Sequence, residues 1–337
     1  MAKASDIQAV LAGESEGAIV RGDALELVAG MAEGSVNLVF GSPPYEDSRT
    51  YGIDFRLRGE EWVRWMIPIV RASVRASVGL AAFVVNGKTR QFSYSATPEL
   101  LIADLKRSGV ILRKPPIFHR VGIPGSGGPD WVRDDYEKII CATRGGKLPW
   151  SDNTAMGHPP KWAPGGAMSH RVSDGARVNQ WGHSVESGAT VVEDGGRVRS
   201  RGRRPSHRTT KRFPANKRPH SKRRANGEME EQSYAPPVLA NPGNVISLKV
   251  GGGQMGHRLA HENEAPFPED LAEFFIRSFC PPGGIVLDPF FGSGTTGAAA
   301  LNAGRRFIGI DIRESQCELA ARRIYGPLFV RKEAPNA

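Results

Sequence analysis

The sequence predicts an α/β fold with a mostly parallel sheet flanked by helices, and three observations carry that prediction. Short β-branched runs bounded by glycine, such as VNLVFG at 36–41, alternate with longer segments of helical period. A second strand–loop–helix–strand unit, IVLDPFFGSGTTGAAALNAGRRFIGIDI, stands far downstream at 285–312. Between the two α/β regions the composition turns to Gly, Pro, Ser, Asn, Arg and Lys, and periodicity disappears.

In chain order, residues 18–20 read as a short strand and 24–31 as a helix. The apolar run 36–40 reads as a strand buried on both faces. The stretch 60–78 reads as a long helix, with Trp62, Val63, Met66, Ile69 and Val70 forming its apolar stripe. Strands are expected at 80–85, 110–112 and 138–143. Downstream, the pattern predicts a helix at 268–279, a strand at 285–287, a helix at 295–303, a strand at 306–310 and a helix at 314–325. The halves 18–149 and 244–330 are each too small to stand alone, so they are expected to complete one sheet. Residues 150–243 are then an inserted basic, irregular and partly flexible region.

Bulk properties narrow the function classes. The 337-residue chain is 39% hydrophobic and carries a formal net charge of +10, which points to a polyanionic partner, an excess that ribosomal and membrane-surface proteins share. Thirteen Lys or Arg and no Asp or Glu fall between Gly195 and Gly227, interrupted by Pro205, Phe213, Pro214 and Pro219. A solvated tail is the bland reading of such a run; its place inside the chain favours an arm that tracks a phosphate backbone. Cys141, Cys280 and Cys317 are too few and too scattered for a disulfide framework or a zinc knuckle, the eight histidines show no ligand spacing, and no metal is assigned. No stretch approaches eighteen apolar residues and the N-terminal segment lacks a long apolar core, so a soluble cytoplasmic protein is expected.

Two loops carry chemistry. In Ser42-Pro43-Pro44-Tyr45, successive prolines fix φ and remove backbone donors, leaving a stiff, acceptor-rich loop at the carboxyl end of a strand. Open α/β sheets bind ligands there, although an ordinary strand-ending turn satisfies the same four residues. In the downstream unit, Gly292, Gly294 and Thr295 open a helix whose free N–H groups face a ligand. Asp311, nineteen residues after Gly292, is placed to hold two ribose hydroxyls. The loop equally fits a dinucleotide fingerprint, which leaves a nicotinamide-dependent dehydrogenase open; no Lys follows the glycines, which disfavours an NTP loop.

The pairing of SPPY with a later DPFFGSGTT resembles the S-adenosylmethionine-dependent amino-group DNA methyltransferases, in the permuted motif order called the beta group. GDAL at 22–25, Tyr51-Gly52, Asp135-Tyr136-Glu137 and APFPEDLAEFFI at 265–276 look like that family's companion segments. The resemblance covers both α/β regions. It implies a Rossmann-like methyltransferase sheet with S-adenosylmethionine as cofactor and double-stranded DNA as partner, in a prokaryotic or phage-encoded modification enzyme of the restriction–modification kind. It implies no membrane, and it is compatible with a homodimer.

By resemblance, Asp288, Phe290, Gly292 and Gly294 surround the methionine part of the cofactor, with Thr295 in the same loop. Asp311 serves the ribose and Asp23 the adenine edge, and Phe267 and Pro268 line the same pocket. An N-cap is an equally good and compatible reading of Asp23. Ser42 Oγ and the Pro43 carbonyl would hold the hydrogens of a delocalised exocyclic amine, while Tyr45 stacks on a flipped base. Serine before Pro-Pro leans toward cytosine N4, ahead of adenine N6, although Gly41 stands where the cytosine-type pattern commonly has Thr. Cys280 is followed by prolines rather than preceded by one, so ring-carbon methylation is not expected. Arg197, Arg199, Arg201, Arg203, Arg204, Arg208, Lys211, Arg212, Lys217 and Arg218 would contact DNA, and the loop at 46–59 is a candidate lid. A catalytically inactive DNA-binding protein and an RNA substrate are the remaining alternatives.

Overall fold

A computed structural model describes residues 4–47, 55–122, 127–159, 177–178, 212–213, 239–250, 258–262 and 266–326. In chain order these form α1 (Ala4–Ala12), β1 (Gly17–Arg21), α2 (Ala24–Gly30), β2 (Val36–Gly41), α3 (Gly59–Ala76), β3 (Ser77–Val85), β4 (Thr89–Arg90), β5 (Ser93–Tyr94) and α4 (Thr97–Arg107). There follow β6 (Ile111–Leu112), β7 (Ile117–Val121), β8 (Tyr136–Thr143), β9 (Arg177–Val178), β10 (Arg212–Phe213) and β11 (Val245–Lys249). A short 3-10 turn (Arg258–Glu262) leads to α5 (Glu269–Phe279), β12 (Ile285–Asp288), α6 (Thr295–Asn302), β13 (Arg306–Asp311) and α7 (Glu314–Tyr325).

The main sheet has the order β1-β13-β12-β2-β3-β8-β7-β11, with β6 also paired to β8. From β1 to β3 all pairs are parallel, whereas β8 runs antiparallel to both β3 and β7. The strand from the far end of the sequence lies in the middle: β12 meets β2 with Val286 opposite Leu38 and Leu287 opposite Val39. The Ile285 N–H donates to Asn37 Oδ1 (2.8 Å), a stitch between residues 248 positions apart.

Alternation along the strands splits the core into two layers. Val36, Val39, Phe83, Leu287 and Ile308 pack with α1 to α4, where Trp62, Met66 and Leu101 are fully buried. Leu38, Phe40, Val286 and Phe307 pack with α5, α6 and α7 around Phe275, Ala300 and Ala320. Because β12 continues into the helix layer on one face and β2 into that on the other, the chain leaves these neighbours in opposite directions. A crevice therefore opens at their carboxyl ends.

Residues 1–156 and 241–337 form one compact unit and 157–240 another. Within the second, β9 and β10 pair antiparallel and His158 bridges Ala240. Among the described residues no helix is long and apolar enough to cross a membrane.

The helix expected at 60–78 stops at Ala76, because Ser77 turns extended while its N–H still caps Ser73 O, and β3 starts without a turn. The sequence reading also omitted α1, α4, the β4–β5 hairpin, β7 and β11. The hairpin turn is Gln91-Phe92, with φ of 46° and 62°. Type I′ turns prefer Asn-Gly, so no turn signal marks this one. Bulky residues at positive φ are rare, and each stores about 1–3 kcal/mol of strain.

Candidate active site

Four strand ends converge on one cleft of about 950 Å³, including its solvent-open part. Gly22, Asp23 and Ala24 follow β1, Ser42 and Pro44 follow β2, residues 289–293 and Thr295 follow β12, and Asp311 to Arg313 close β13. Phe55, Trp65, Pro266 and Phe267 complete the wall. Trp65 lies 5.0 Å from Phe55 and 5.8 Å from Phe290 between ring centroids, and Phe267 stands edge-on to Phe40 at 5.5 Å. An aromatic wall facing two carboxylates, Asp23 and Asp311, suits a ligand that combines positive charge with hydroxyl donors.

The glycine loop is held from beneath. Asp288 is fully buried; its Oδ1 accepts from Phe290 N (2.9 Å) and its Oδ2 from the Thr296 hydroxyl (2.6 Å). Burial lifts its carboxyl to about 7, and the nearby Asp311 charge adds to the rise. Gly41 is required by this arrangement. A Cβ there would sit 3.0 Å from Asp288 Cγ and well inside contact distance of Oδ1. Asp311 Oδ2 accepts from Gly292 N (2.8 Å) and Oδ1 from Arg313 N (2.9 Å) while the residue lines the cleft. Gly294 starts α6 at φ 81°, a left-handed conformation suited to glycine. From α7, the buried Arg323 guanidinium donates to Ser293 O (3.3 Å), Ser293 Oγ (3.2 Å) and Thr295 Oγ1 (2.9 Å), and pairs with Glu269 at the start of α5.

The proline loop is anchored in the same manner. The Ser42 hydroxyl donates to Val84 O (3.2 Å) and lies 3.4 Å from Tyr45 Oη. Ser42 itself lines the cleft, whereas neither Val84 nor Tyr45 does. Trp62 Nε1 donates to Pro44 O (2.8 Å), and the Tyr45 hydroxyl donates to Glu137 Oε2 (2.9 Å). Burial raises the Glu137 carboxyl above its ordinary range, against Arg120 at 3.2 Å and the Tyr45 hydroxyl. The next two residues, both buried, fasten the loop to its surroundings. Glu46 accepts from Gly59 N (3.0 Å), Lys88 N (2.8 Å) and the Ser95 hydroxyl; Asp47 pairs with Arg58 (3.1 Å) and Arg90.

Of the residues singled out from the sequence, Asp23, Ser42, Pro44, Phe267, Phe290, Gly292, Thr295 and Asp311 line the cleft together. Pro43, Tyr45, Pro268, Asp288 and Gly294 adjoin these residues in sequence without lining the cleft themselves. Asp23 also caps α2, its Oδ1 accepting from Glu26 N (2.9 Å). Sequence reasoning missed Phe55, Trp65, Glu46, Asp47, Glu137 as a partner of Tyr45, and Arg323. Burial pushes the Cys280 thiol up to about 12, as expected of an apolar core thiol. Arg212 lies in β10, whereas Arg197, Arg199, Arg201, Arg203, Arg204, Arg208, Lys211, Lys217 and Arg218 fall outside the described residues, as do Tyr51, Gly52 and the rest of 48–54 in the 46–59 lid.

The DNA methylase family model matches residues 36–322, a span that contains both loops. An orphan methyltransferase, M.BamHII of Bacillus amyloliquefaciens, is 40% identical over 75 residues, 22% of this chain and 28% of its own length. The DNA adenine methyltransferase YhdJ of Escherichia coli (strain K12) is 49% identical over 83 residues, 25% of this chain and 28% of its own length. The chain thus matches less than a third of either relative. The structure of PvuII DNA methyltransferase (cytosine-N4-specific) superposes with a TM-score of 0.57 at 17% identity, covering 95% of this chain and 89% of that one, and shares the fold.

Proposed function

Since the chain belongs to the DNA methylase family, matched over residues 36–322, we propose that it methylates an exocyclic amine of a DNA base, cytosine N4 ahead of adenine N6. The observation that carries this reading is that Ser42 opens onto the same cleft as Phe290, Gly292 and Asp311. Bound in that cleft, S-adenosylmethionine supplies an electrophilic methyl group on a sulfonium. Asp311 would hold the ribose hydroxyls and Asp23 the adenine edge. The rings of Phe290 and Trp65 would attract the sulfonium charge.

The chain's own contribution to chemistry is positioning and acceptance of hydrogens. The Ser42 hydroxyl spends its proton on Val84 O, so its lone pairs face outward to accept an amine hydrogen. The Pro43 carbonyl accepts the second, pulling the nitrogen toward tetrahedral geometry, and the loop keeps this pair in place through Trp62 and Glu137. A duplex base reaches Ser42 only if it leaves the stack, with Tyr45 beside it. The basic run from 197 to 224 neutralises phosphates during that step. Adenine N6 is the second reading, favoured by the name of the Escherichia coli relative.

The test is nucleoside mass spectrometry of mixed-sequence DNA incubated with purified protein and S-adenosylmethionine. N4-methylcytosine is expected, falling at least about 100-fold with Ser42→Ala, in line with loss of a group that acts only in the transition state. N6-methyladenine would exchange the base assignment, and no methylated nucleoside despite cofactor binding would overturn the reading.

A further inference from the structure

We propose that the β4–β5 hairpin is a DNA wedge, with Phe92 entering the base stack of duplex DNA and filling the gap left by the extruded target. The inference rests on the methyltransferase reading above. Phe92 is 77% exposed at the hairpin apex, a position that offers an apolar ring to a partner rather than to the core. Both apex residues are held at positive φ, so the ring projects from a two-residue turn with little freedom to fold back.

The hairpin is rigidly joined to the residues that follow Tyr45. Glu46 accepts from Lys88 N (2.8 Å) and from the Ser95 hydroxyl, clasping both of its ends, and Ser95 N closes them by donating to Lys88 O (2.9 Å). Asp47 grips Arg90, and Lys88 Nζ donates to Asp47 O (3.0 Å). The hairpin base therefore cannot shift without moving the loop that holds Ser42. Side chains inserted between base steps work only if the backbone behind them resists the stack, and apolar rings serve as such wedges.

Charge and position specify the occupant. At the hairpin base Lys88, Arg90 and Arg58 gather round Asp47 beside Glu46, and the two guanidinium groups stay about half exposed, so the cluster keeps an excess of positive charge that suits phosphates on either side of an opened step. β2 and β3 run side by side with Gly41 opposite Phe83, so the hairpin after β3 and the proline loop after β2 leave the same sheet edge. Trp131, 78% exposed on the segment before β8, belongs to that edge too, through the Asn86 side-chain bond to Asp134 (2.8 Å).

The experiment compares wild type, Phe92→Ala and Phe92→Trp as full-length proteins on a closed-circular plasmid. Readouts are methylated nucleosides, the linking-number shift left after topoisomerase relaxation with protein bound, and S-adenosylmethionine affinity by calorimetry. Phe92→Ala should methylate the duplex at least about tenfold more slowly and lose the linking-number shift, with cofactor affinity within about twofold of wild type. Phe92→Trp should restore rate and shift. A Phe92→Ala protein that keeps both rate and shift overturns the wedge, as does one that loses cofactor affinity along with rate. If wild type methylates nothing, the enzymatic reading falls, and the linking-number comparison alone still decides whether Phe92 enters the stack.

Discussion

Replacing Gly41 by alanine probes the point where the two loops meet. The added Cβ would stand 3.0 Å from Asp288 Cγ and closer still to Oδ1, and that carboxyl has nowhere to retreat. It is fully buried and pinned by Phe290 N at 2.9 Å and the Thr296 hydroxyl at 2.6 Å. Overpacking of a well-filled interior costs about 1–3 kcal/mol, and the fixed neighbour puts this case in the upper half, about 2–3 kcal/mol. For a unit of this size, about 2–4 °C accompany each kcal/mol, so the melting temperature should fall by about 4–12 °C. Melting followed by circular dichroism for wild type, Gly41→Ala, Asp288→Ala and the double variant isolates the clash. With the carboxyl gone, the alanine should add almost nothing, leaving a coupling of about 2 kcal/mol. An equal drop from the alanine in both backgrounds, or none in either, would refute the reasoning.

Asp288 also makes a pH prediction. Burial raises its carboxyl to about 7, above the value of about 4 for an unfolded chain, so the folded protein keeps a proton that the unfolded chain has lost. Its contribution to stability is full below about pH 4 and is lost as pH rises to about 7. Asp288→Asn should remove this slope, which urea midpoints from pH 4 to 8.5 would show; parallel profiles for the two proteins would refute it. Arg323→Met should weaken S-adenosylmethionine about tenfold, or about 1.4 kcal/mol, because Ser293 and Thr295 lose their clamp. Arg323→Lys should fall between, since one ammonium cannot span both the loop and Glu269, and an unchanged calorimetric isotherm for the methionine variant would sink the idea. Exchanging Arg197, Arg199, Arg201, Arg203 and Arg204 for glutamine should flatten the salt dependence of DNA binding, by about 0.9 in log–log slope for each phosphate no longer neutralised. An unaltered slope would remove this run from the interface.

The central strands were legible because their residues are buried on both faces, so β2, β12 and β13 each appear as mainly apolar runs closed by Gly or Asp. Helices α3, α5 and α7 were legible from one apolar stripe. What escaped had weak local signals. β7 and its neighbour β11, the edge strand, bury few side chains, and the β4–β5 turn lacks glycine and asparagine. In the cleft, residues contributed by strand ends could be named because a motif marks each end. The side chains that hold those motifs could not, since Glu137 reaches Tyr45 and Arg323 reaches Ser293 across 92 and 30 positions. Asp288 shows the limit most clearly: its spacing belongs to the loop, but its carboxyl turns inward to Thr296 rather than toward the cleft.

The central place of β12 has a consequence for how the protein is made. β2 leaves the ribosome with one edge bare, because its neighbour begins at Ile285 and the Asn37 stitch waits for that same residue. At about 5–20 residues per second, synthesis takes about 12–50 s to bridge that interval. Through that time, an apolar strand edge ending in the proline loop must avoid pairing with another chain. Slower translation of the intervening basic segment would lengthen the exposure, and faster translation would shorten it, so the yield of folded protein should follow the elongation rate between these two strands.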